Sequence, residues 1–427
     1  MTPPPTTGRP HLAVALDAAR WIQASAVTSP EGTIWPAIPG AADGAGDTAI
    51  ASDLYSGSAG VVLFFLELSR TTGDAAHLAL ARSGADALLA SLDGETDPGL
   101  YTGLAGIGFV LIEAARHTGD TRYRDGSRRI VARLRERAVD RGTGVEWNDT
   151  TDIISGSAGI GLFLLDAAEA LELPEAGALA ASAGRRLLER GRPGAGGIKW
   201  PMDGTSAQSF PNFSHGTAGV AYFLATLSQA TGDRGFLEAA LAGAKYLQAT
   251  ADTEGDLCLV LHHEPDDAGR LLYYLGWCHG PAGTARLWYR LWQATGDRAW
   301  LEWAAKSARA ILASGIPERQ TPGFWNNVGV CCGSAGVAAF LLAHHRATGD
   351  AASLALARRV SAQILASAVR DAHGIRWPHA QHRTRPTEIA AQTGWMQGAA
   401  GIGAWFLHLD AFDRGTALPI RFPDSPF

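Results

Sequence analysis

Seven long apolar runs recur along the chain, each opened by the tetrad Gly-x-Ala-Gly: SGSAGVVLFFLEL, TGLAGIGFVLIEAA, SGSAGIGLFLLDAA, HGTAGVAYFLATL, HGPAGTARLWYRL, CGSAGVAAFLLAHH and QGAAGIGAWFLHL. Their apolar residues occupy every face of a helix, which predicts helices buried all round. The segments between them read differently. After Asp74, AAHLALARSGADALLASL places apolar residues at helical spacing with polar ones between, as a half-exposed helix requires. Thr-Gly-Asp stands between the two kinds of segment at Thr72, Thr118, Thr231, Thr295 and Thr348. Glycine suits a left-handed helix C-cap and aspartate the next N-cap, so this punctuation predicts a helical hairpin. The leading glycines (Gly57, Gly103, Gly156, Gly216, Gly280, Gly333, Gly398) are separated by 46, 53, 60, 64, 53 and 65 residues, room for two helices per repeat. Strand signals are confined to short pieces such as DLCLVL, which contains Cys258.

Repeated hairpins stack into an open solenoid or close into a ring, and solenoids carry polar terminal repeats. The last copy here is as apolar as the middle ones. The expected fold is therefore all-α: a seven-fold α/α toroid, one domain over residues 1–427 with residues 1–10 disordered, an inner ring of helices and an outer one. The glycines are expected to serve close packing at the helix N-termini. Composition adds little but exclusions. A formal charge of −6 gives no basic footprint for nucleic acid or for a membrane surface. The opening MTPPPTTGRPH lacks the apolar core of a secretory signal, and no apolar run is long enough to span a bilayer. A soluble, cytoplasmic, monomeric protein is expected. The four cysteines, two of them adjacent, suit metal binding or catalysis better than a disulfide framework.

If all seven inner helices run the same way, the residues just before each leading glycine gather at one mouth of the ring. Those pairs are Tyr55-Ser56, Tyr101-Thr102, Ile154-Ser155, Ser214-His215, Cys278-His279, Cys331-Cys332 and Met396-Gln397. Consecutive copies are ring neighbours, so Cys278 should meet Cys331 and Cys332. Three thiolates leave one position open on a tetrahedral zinc, the mark of a catalytic site. Helix N-termini favour the thiolate form that the metal needs. His215 and His279 are candidate proton donors or acceptors facing the metal. Asp152, four residues before Gly156 and in the copy next to His215, is placed to orient a histidine; Asp53 has the same register in the first copy but is read as a cap. Cys258 is expected to be a buried spectator, and His262-His263 and His344-His345 surface or packing residues. Tryptophans in the loops, at Trp35, Trp147, Trp200, Trp325 and Trp377, are expected to fill space at the mouth.

The ordered series DIISGSAG (Asp152–Gly159), SHGTAG (Ser214–Gly219), WCHG (Trp277–Gly280) and CCG (Cys331–Gly333) resembles the lanthionine synthetase C-like family, and the resemblance runs through all seven copies. It implies an α/α toroid whose zinc activates a cysteine thiol of a dehydrated precursor peptide. The thiol then adds to dehydroalanine or dehydrobutyrine and closes a thioether ring. By carry-over, Cys278, Cys331 and Cys332 hold Zn2+, while His215, supported by Asp152, handles the proton that the enolate receives. Cys332 stands where many members have histidine. Tyr274 and His279 stand where arginine and tyrosine are usual, so His279 or Arg270 is expected to compensate. The short first interval leaves no room for a small β-rich insertion that some members carry there. No kinase-like or dehydratase portion precedes the ring, so a separate dehydratase is the implied partner. The rival readings are addition of a small thiol such as glutathione to dehydroamino acids, a prenyltransferase-like alkylation of a zinc-bound thiol, and a non-catalytic zinc-stabilised scaffold that binds peptides. A carbohydrate-active toroid would need paired carboxylates at the mouth.

Overall fold

The structure is a computed structural model that describes residues 8–40, 51–204, 209–264, 271–319, 324–325, 327–380, 382–417 and 420–427. Arg270 and the side chain of Trp325 lie outside the described residues.

Helix α1 (Pro10–Ala24) precedes six hairpins: α2 (Ser58–Thr72) with α3 (Ala75–Ser91), α4 (Leu104–Thr118) with α5 (Thr121–Arg137), and α6 (Ser157–Ala170) with α7 (Pro174–Arg190). They continue with α8 (Thr217–Thr231) and α9 (Arg234–Thr250), α10 (Pro281–Thr295) and α11 (Ala299–Ala313), α12 (Ser334–Thr348) and α13 (Ala351–Ala366). α14 (Ala399–Asp413) is the last helix. The even-numbered helices are the inner ring: each packs on the next, and α14 packs on α2, which closes the circle. Among the described residues, seven inner and seven outer helices form the expected toroid. The seventh outer helix is the exception to simple repetition. No helix follows α14 among the described residues; its outer partner is α1, from the other end of the sequence.

That seam is fastened by charge. The Arg9 guanidinium spans Asp410 (Nε to Oδ1 3.1 Å, Nη2 to Oδ2 2.5 Å), and Glu67 on α2, fully buried, takes Nε2 of His408 on α14 at 3.0 Å. The expectation of disorder over residues 1–10 is thereby corrected for its final part, since Arg9 is paired and Pro10 opens α1, while residues 1–7 lie outside the described ones.

The Thr-Gly-Asp signal works as its chemistry predicts. In all five copies glycine is left-handed, from Gly73 (φ 69°) to Gly349 (φ 79°). The aspartate accepts from a backbone N–H of the following helix, as Asp74 does from Ala76 at 2.8 Å. The threonine hydroxyl donates to the carbonyl four residues back and accepts the aspartate N–H, as at Thr72 (2.8 and 3.2 Å). Each tight corner thus satisfies groups that helix ends leave orphaned.

Strands are short and occur elsewhere than expected. DLCLVL contributes only an isolated bridge, Asp252 to Leu259. Antiparallel hairpins follow outer helices instead, at 27–34, 139–146, 192–199 and 369–376. Trp147, Trp200 and Trp377 belong to this outer layer rather than to the mouth. Nε1 of Trp147, Trp200 and Trp377 donates to Leu134, Leu187 and Ile364 (2.6, 2.6 and 2.8 Å), carbonyls in the last turns of α5, α7 and α13. Each indole packs under a hairpin and ties it to the last turn of the helix before it. No helix among the described residues is long and apolar enough to cross a membrane.

Candidate metal centre

The seven segments ahead of the leading glycines are joined in a circle by backbone hydrogen bonds. Tyr55 N donates to Tyr101 O, Tyr101 N to Ile154 O, Ile153 N to Ser214 O, and Ser214 N to Cys278 O (2.8–3.1 Å). Cys278 N continues to Cys331 O, Cys331 N to Met396 O, and Met396 N to Tyr55 O (2.9–3.1 Å). Register within the repeat is therefore register in space, and the circle seats each segment on its helix. The second glycine of the tetrad makes this possible: a Cβ on Gly283 or Gly401 would lie 1.8 Å from the carbonyl of Trp277 or Trp395. The glycines are architecture, as expected.

Cys278, Cys331 and Cys332 converge at one point of this circle. Cys332 Sγ lies 3.3 Å from Cys278 Sγ and 3.6 Å from Cys331 Sγ. Among the described residues these form the one group of three or more His, Cys, Asp or Glu side chains whose ligand atoms all lie within 4.8 Å of one another. Zinc–sulfur bonds of ~2.3 Å in a tetrahedron set sulfurs about 3.8 Å apart, so a small outward relaxation accommodates the ion. The donor set fits zinc, and all four cysteines are free thiols. Hydrogen bonds from Cys278 and Cys331, and then from Gln397, hold Cys332 well below the usual thiol range, while burial pushes Cys278 well above it. The cluster alone thus sustains a negative charge that a cation would share. Cys258 is a spectator as expected: it is buried apart from the cluster, its thiol pushed up to about 11 by burial.

Around the sulfurs stand groups from the first and seventh copies that sequence register placed at the mouth without giving them work. Gln397 Nε2 donates to the Tyr55 hydroxyl at 3.1 Å and approaches Cys332 Sγ at 3.9 Å, while its Oε1 accepts from Asn327 at 3.0 Å. Burial, then the charges of Cys331 and Cys332, raise Tyr55 well above the usual phenol range. His379 gives its Nδ1 hydrogen to Trp377 O at 3.1 Å, which leaves Nε2 a buried lone pair near Gln397.

On the fourth copy, His215 Nδ1 meets Asp152 Oδ2 at 2.5 Å. The other carboxylate oxygen accepts from Ser155 N and Gly156 N at 2.9 and 2.8 Å, so a fully buried Asp152 fixes both its own turn and the imidazole. The half-exposed His215 is left with Nε2 for the mouth. His279 lies beside it, ring centroids 5.4 Å apart, and behind His279 comes His262 at 4.2 Å, with Tyr274 a further 4.4 Å beyond. Burial depresses both rings, His279 well below the ordinary imidazole and His262 to about 3, so both stand neutral. The structure therefore moves His262 out of the surface class and into the wall of the site; no register signal marks it, because it lies in an irregular stretch between α9 and α10. His344 keeps a packing role, bonded to the Tyr289 hydroxyl at 2.7 Å. An arginine also comes near this wall: Arg383, distant in sequence, acts to lower the Tyr274 phenol, whose pKa burial nonetheless pushes up to about 12.

Comparison with known proteins places this geometry. The family described as "Lanthionine synthetase C-like protein" matches residues 49–419, and the chain belongs to that family. Among solved structures, nisin cyclase superposes with a TM-score of 0.66 at 15% identity, covering 88% of this chain and 92% of that one. A family 76 glycoside hydrolase from a bovine Bacteroides thetaiotaomicron strain gives 0.52 at 12% identity, covering 95% and 79%. A GH76 α-mannanase of Bacteroides thetaiotaomicron gives 0.51 at 13%, covering 95% and 96%. At these identities the likeness is one of fold. No curated protein matches the sequence.

Proposed function

We propose that this protein is a zinc-dependent cyclase that adds cysteine thiols of a dehydrated precursor peptide to dehydroalanine or dehydrobutyrine, forming thioether rings. The observation that carries the reading is the convergence, on one mouth, of three thiols able to hold zinc and an Asp152–His215 pair. Zinc held by Cys278, Cys331 and Cys332 would supply an open position at which a substrate thiol is bound as thiolate and kept nucleophilic. As sulfur attacks the β-carbon, charge develops on the carbonyl next to the α-carbon. His215 Nε2 delivers the proton to that α-carbon, and Asp152 holds the ring in the required tautomer and balances its charge. Neutral His279 lines the path of the developing enolate, and Arg383 brings a positive charge near Tyr274. The proton count closes, since one proton leaves the thiol and one enters the product.

The mouth acids do not favour glycoside chemistry, because Asp53 and Asp152 are each bonded to their own turn. A separate dehydratase would supply the substrate, since the chemistry consumes dehydroamino acids.

A competition experiment tests the reading against addition of a small thiol. A peptide carrying one dehydroalanine and one cysteine is offered to the zinc-loaded protein with equimolar glutathione. The expected product has lost its free thiol at unchanged mass. A glutathione adduct with the cysteine still free would shift the assignment to the small-thiol activity, and no reaction with zinc bound would leave a peptide-binding scaffold.

A further inference from the structure

Beyond α14 the chain turns back, and residues 420–427 run into the ring. Phe422 packs on Phe109 and Trp395 (5.3 and 5.1 Å), Gln293 Nε2 donates to Pro426 O at 2.7 Å, and Phe427 meets Tyr289 at 4.9 Å. Phe109 is on α4 and Tyr289 on α10, three places apart in a seven-membered ring, so a segment touching both lies in the bore. The protein's own chain thus enters the bore.

One residue of this segment is of a different kind from the rest. Asp424, 1% exposed, is an acid at the centre of an apolar ring. Its Oδ2 accepts from the Tyr101 hydroxyl at 3.1 Å, its Oδ1 lies 3.3 Å from Arg286 Nη1, and its carbonyl accepts from the same nitrogen at 2.9 Å. The Arg286 guanidinium in turn lies over Phe213 and Trp277, 5.6 and 6.0 Å from the ring centroids. Trp277 also packs on Tyr101 at 5.1 Å and Phe213 at 5.7 Å. These contacts converge from below on the mouth circle. Tyr101 is a member of it, Phe213 precedes the member Ser214, and Trp277 precedes the metal-site residue Cys278. A buried carboxylate paired with a partly buried arginine is a costly way to fill space, and a well-packed apolar pair would stabilise the fold as well or better. What it adds is direction: one guanidinium nitrogen is held by both the carbonyl and the carboxylate of Asp424, which fixes the arginine over the indole beneath the first cysteine.

We propose that Asp424 is a positioning residue for the metal centre, acting through Arg286 and Trp277 to hold Cys278 in the geometry in which three sulfurs converge. This rests on metal binding by the cysteines and is independent of which thiol is added to what. Outer-shell partners of this kind change metal affinity by about 10–100-fold.

The test is zinc affinity by chelator competition, with the absorption spectrum of the cobalt-substituted protein, on the full chain and four variants. Asp424→Ala should weaken zinc at least about tenfold and alter the cobalt spectrum even at saturating metal. Arg286→Met should match it, and the double variant should be no weaker than either single one. Phe427→Ala, in the same segment but away from Trp277, should keep wild-type affinity and spectrum. Asp424→Asn retains an acceptor for Tyr101, removes the charge and sets an amide against Arg286 in place of Oδ1, so it carries the test should the alanine variant fail to fold. Wild-type affinity and spectrum in the Asp424 variants would overturn the proposal, as would a Phe427→Ala loss equal to that of Asp424→Ala, which would reduce the segment to filler. A wild-type protein that binds no metal would instead overturn the metal centre itself.

Discussion

Two turns of this molecule are nearly the same object. Asp53 in DLYSGSAG and Asp152 in DIISGSAG each stand four residues ahead of a leading glycine. Each uses one carboxylate oxygen to accept two backbone N–H groups: Ser56 and Gly57 at 2.7 and 3.2 Å, Ser155 and Gly156 at 2.9 and 2.8 Å. They part at the second oxygen. Asp152 holds His215 at 2.5 Å, whereas among the described residues the second oxygen of Asp53 has a distant Ser56 hydroxyl at 3.5 Å. The ring position that His215 occupies beside Asp152 is taken, beside Asp53, by Thr102, whose hydroxyl is turned to Asp97 at 2.9 Å. Local structure is therefore common to the two copies, and chemistry is conferred by the neighbouring copy. Beyond His215 the next two copies bring the cysteines; beyond Thr102 come Ile154 and Ser155.

The largest effect that separates the two turns should come from His215→Ala. It is expected to lower thiol addition by about 10²–10⁴-fold with zinc content unchanged, and an unaltered rate in a stopped assay would remove His215 from the chemistry. Asp152→Asn should reduce turnover by less, at similar KM, because the imidazole remains but its tautomer and charge are no longer held. His279→Ala at unchanged zinc content should lower turnover by a smaller factor again; equal turnover would leave it as wall only. In the first copy, Asp53→Ala should cost about 1 kcal/mol of stability by loss of the acceptor for two turn N–H groups and leave thiol addition untouched. Thr102→His rebuilds the Asp–His pair at the wrong place, and should create no second activity in a variant that lacks His215.

The smallest effect is one of pH. Burial raises the Asp53 carboxyl above its ordinary value despite the two backbone bonds. The folded state therefore holds this proton more tightly than the unfolded chain, and stability falls as pH rises from the ordinary carboxyl value through the raised one. Asp53→Asn keeps the acceptor and removes the titration. Its Tm relative to wild type should climb across that acidic window and level off above it, whereas a constant difference would place the shift elsewhere.

How much of this was legible beforehand follows from what repeats and what does not. The tetrad glycines, the Thr-Gly-Asp corners and the two residues before each glycine recur in fixed register, and the mouth circle turns that register into distance. Cys278 could thus be joined to Cys331 and Cys332, and Asp152 to His215, without coordinates. Register is silent about residues in unrepeated stretches. His262, His379 and Arg383 come from unrepeated segments between helices, and Asp424 from a segment after α14. The Gly-x-x-Trp setting of Trp147, Trp200 and Trp377 marks the hairpins that follow outer helices rather than the mouth.

The most direct test of the central claim is zinc stoichiometry on purified protein beside a Cys331→Ala/Cys332→Ala double variant, with thiol consumption of a dehydrated cysteine peptide followed by mass spectrometry on the same samples. The account predicts about one zinc per chain, lost in the double variant together with thiol consumption. Full zinc in the double variant, or none in the wild type, would contradict it.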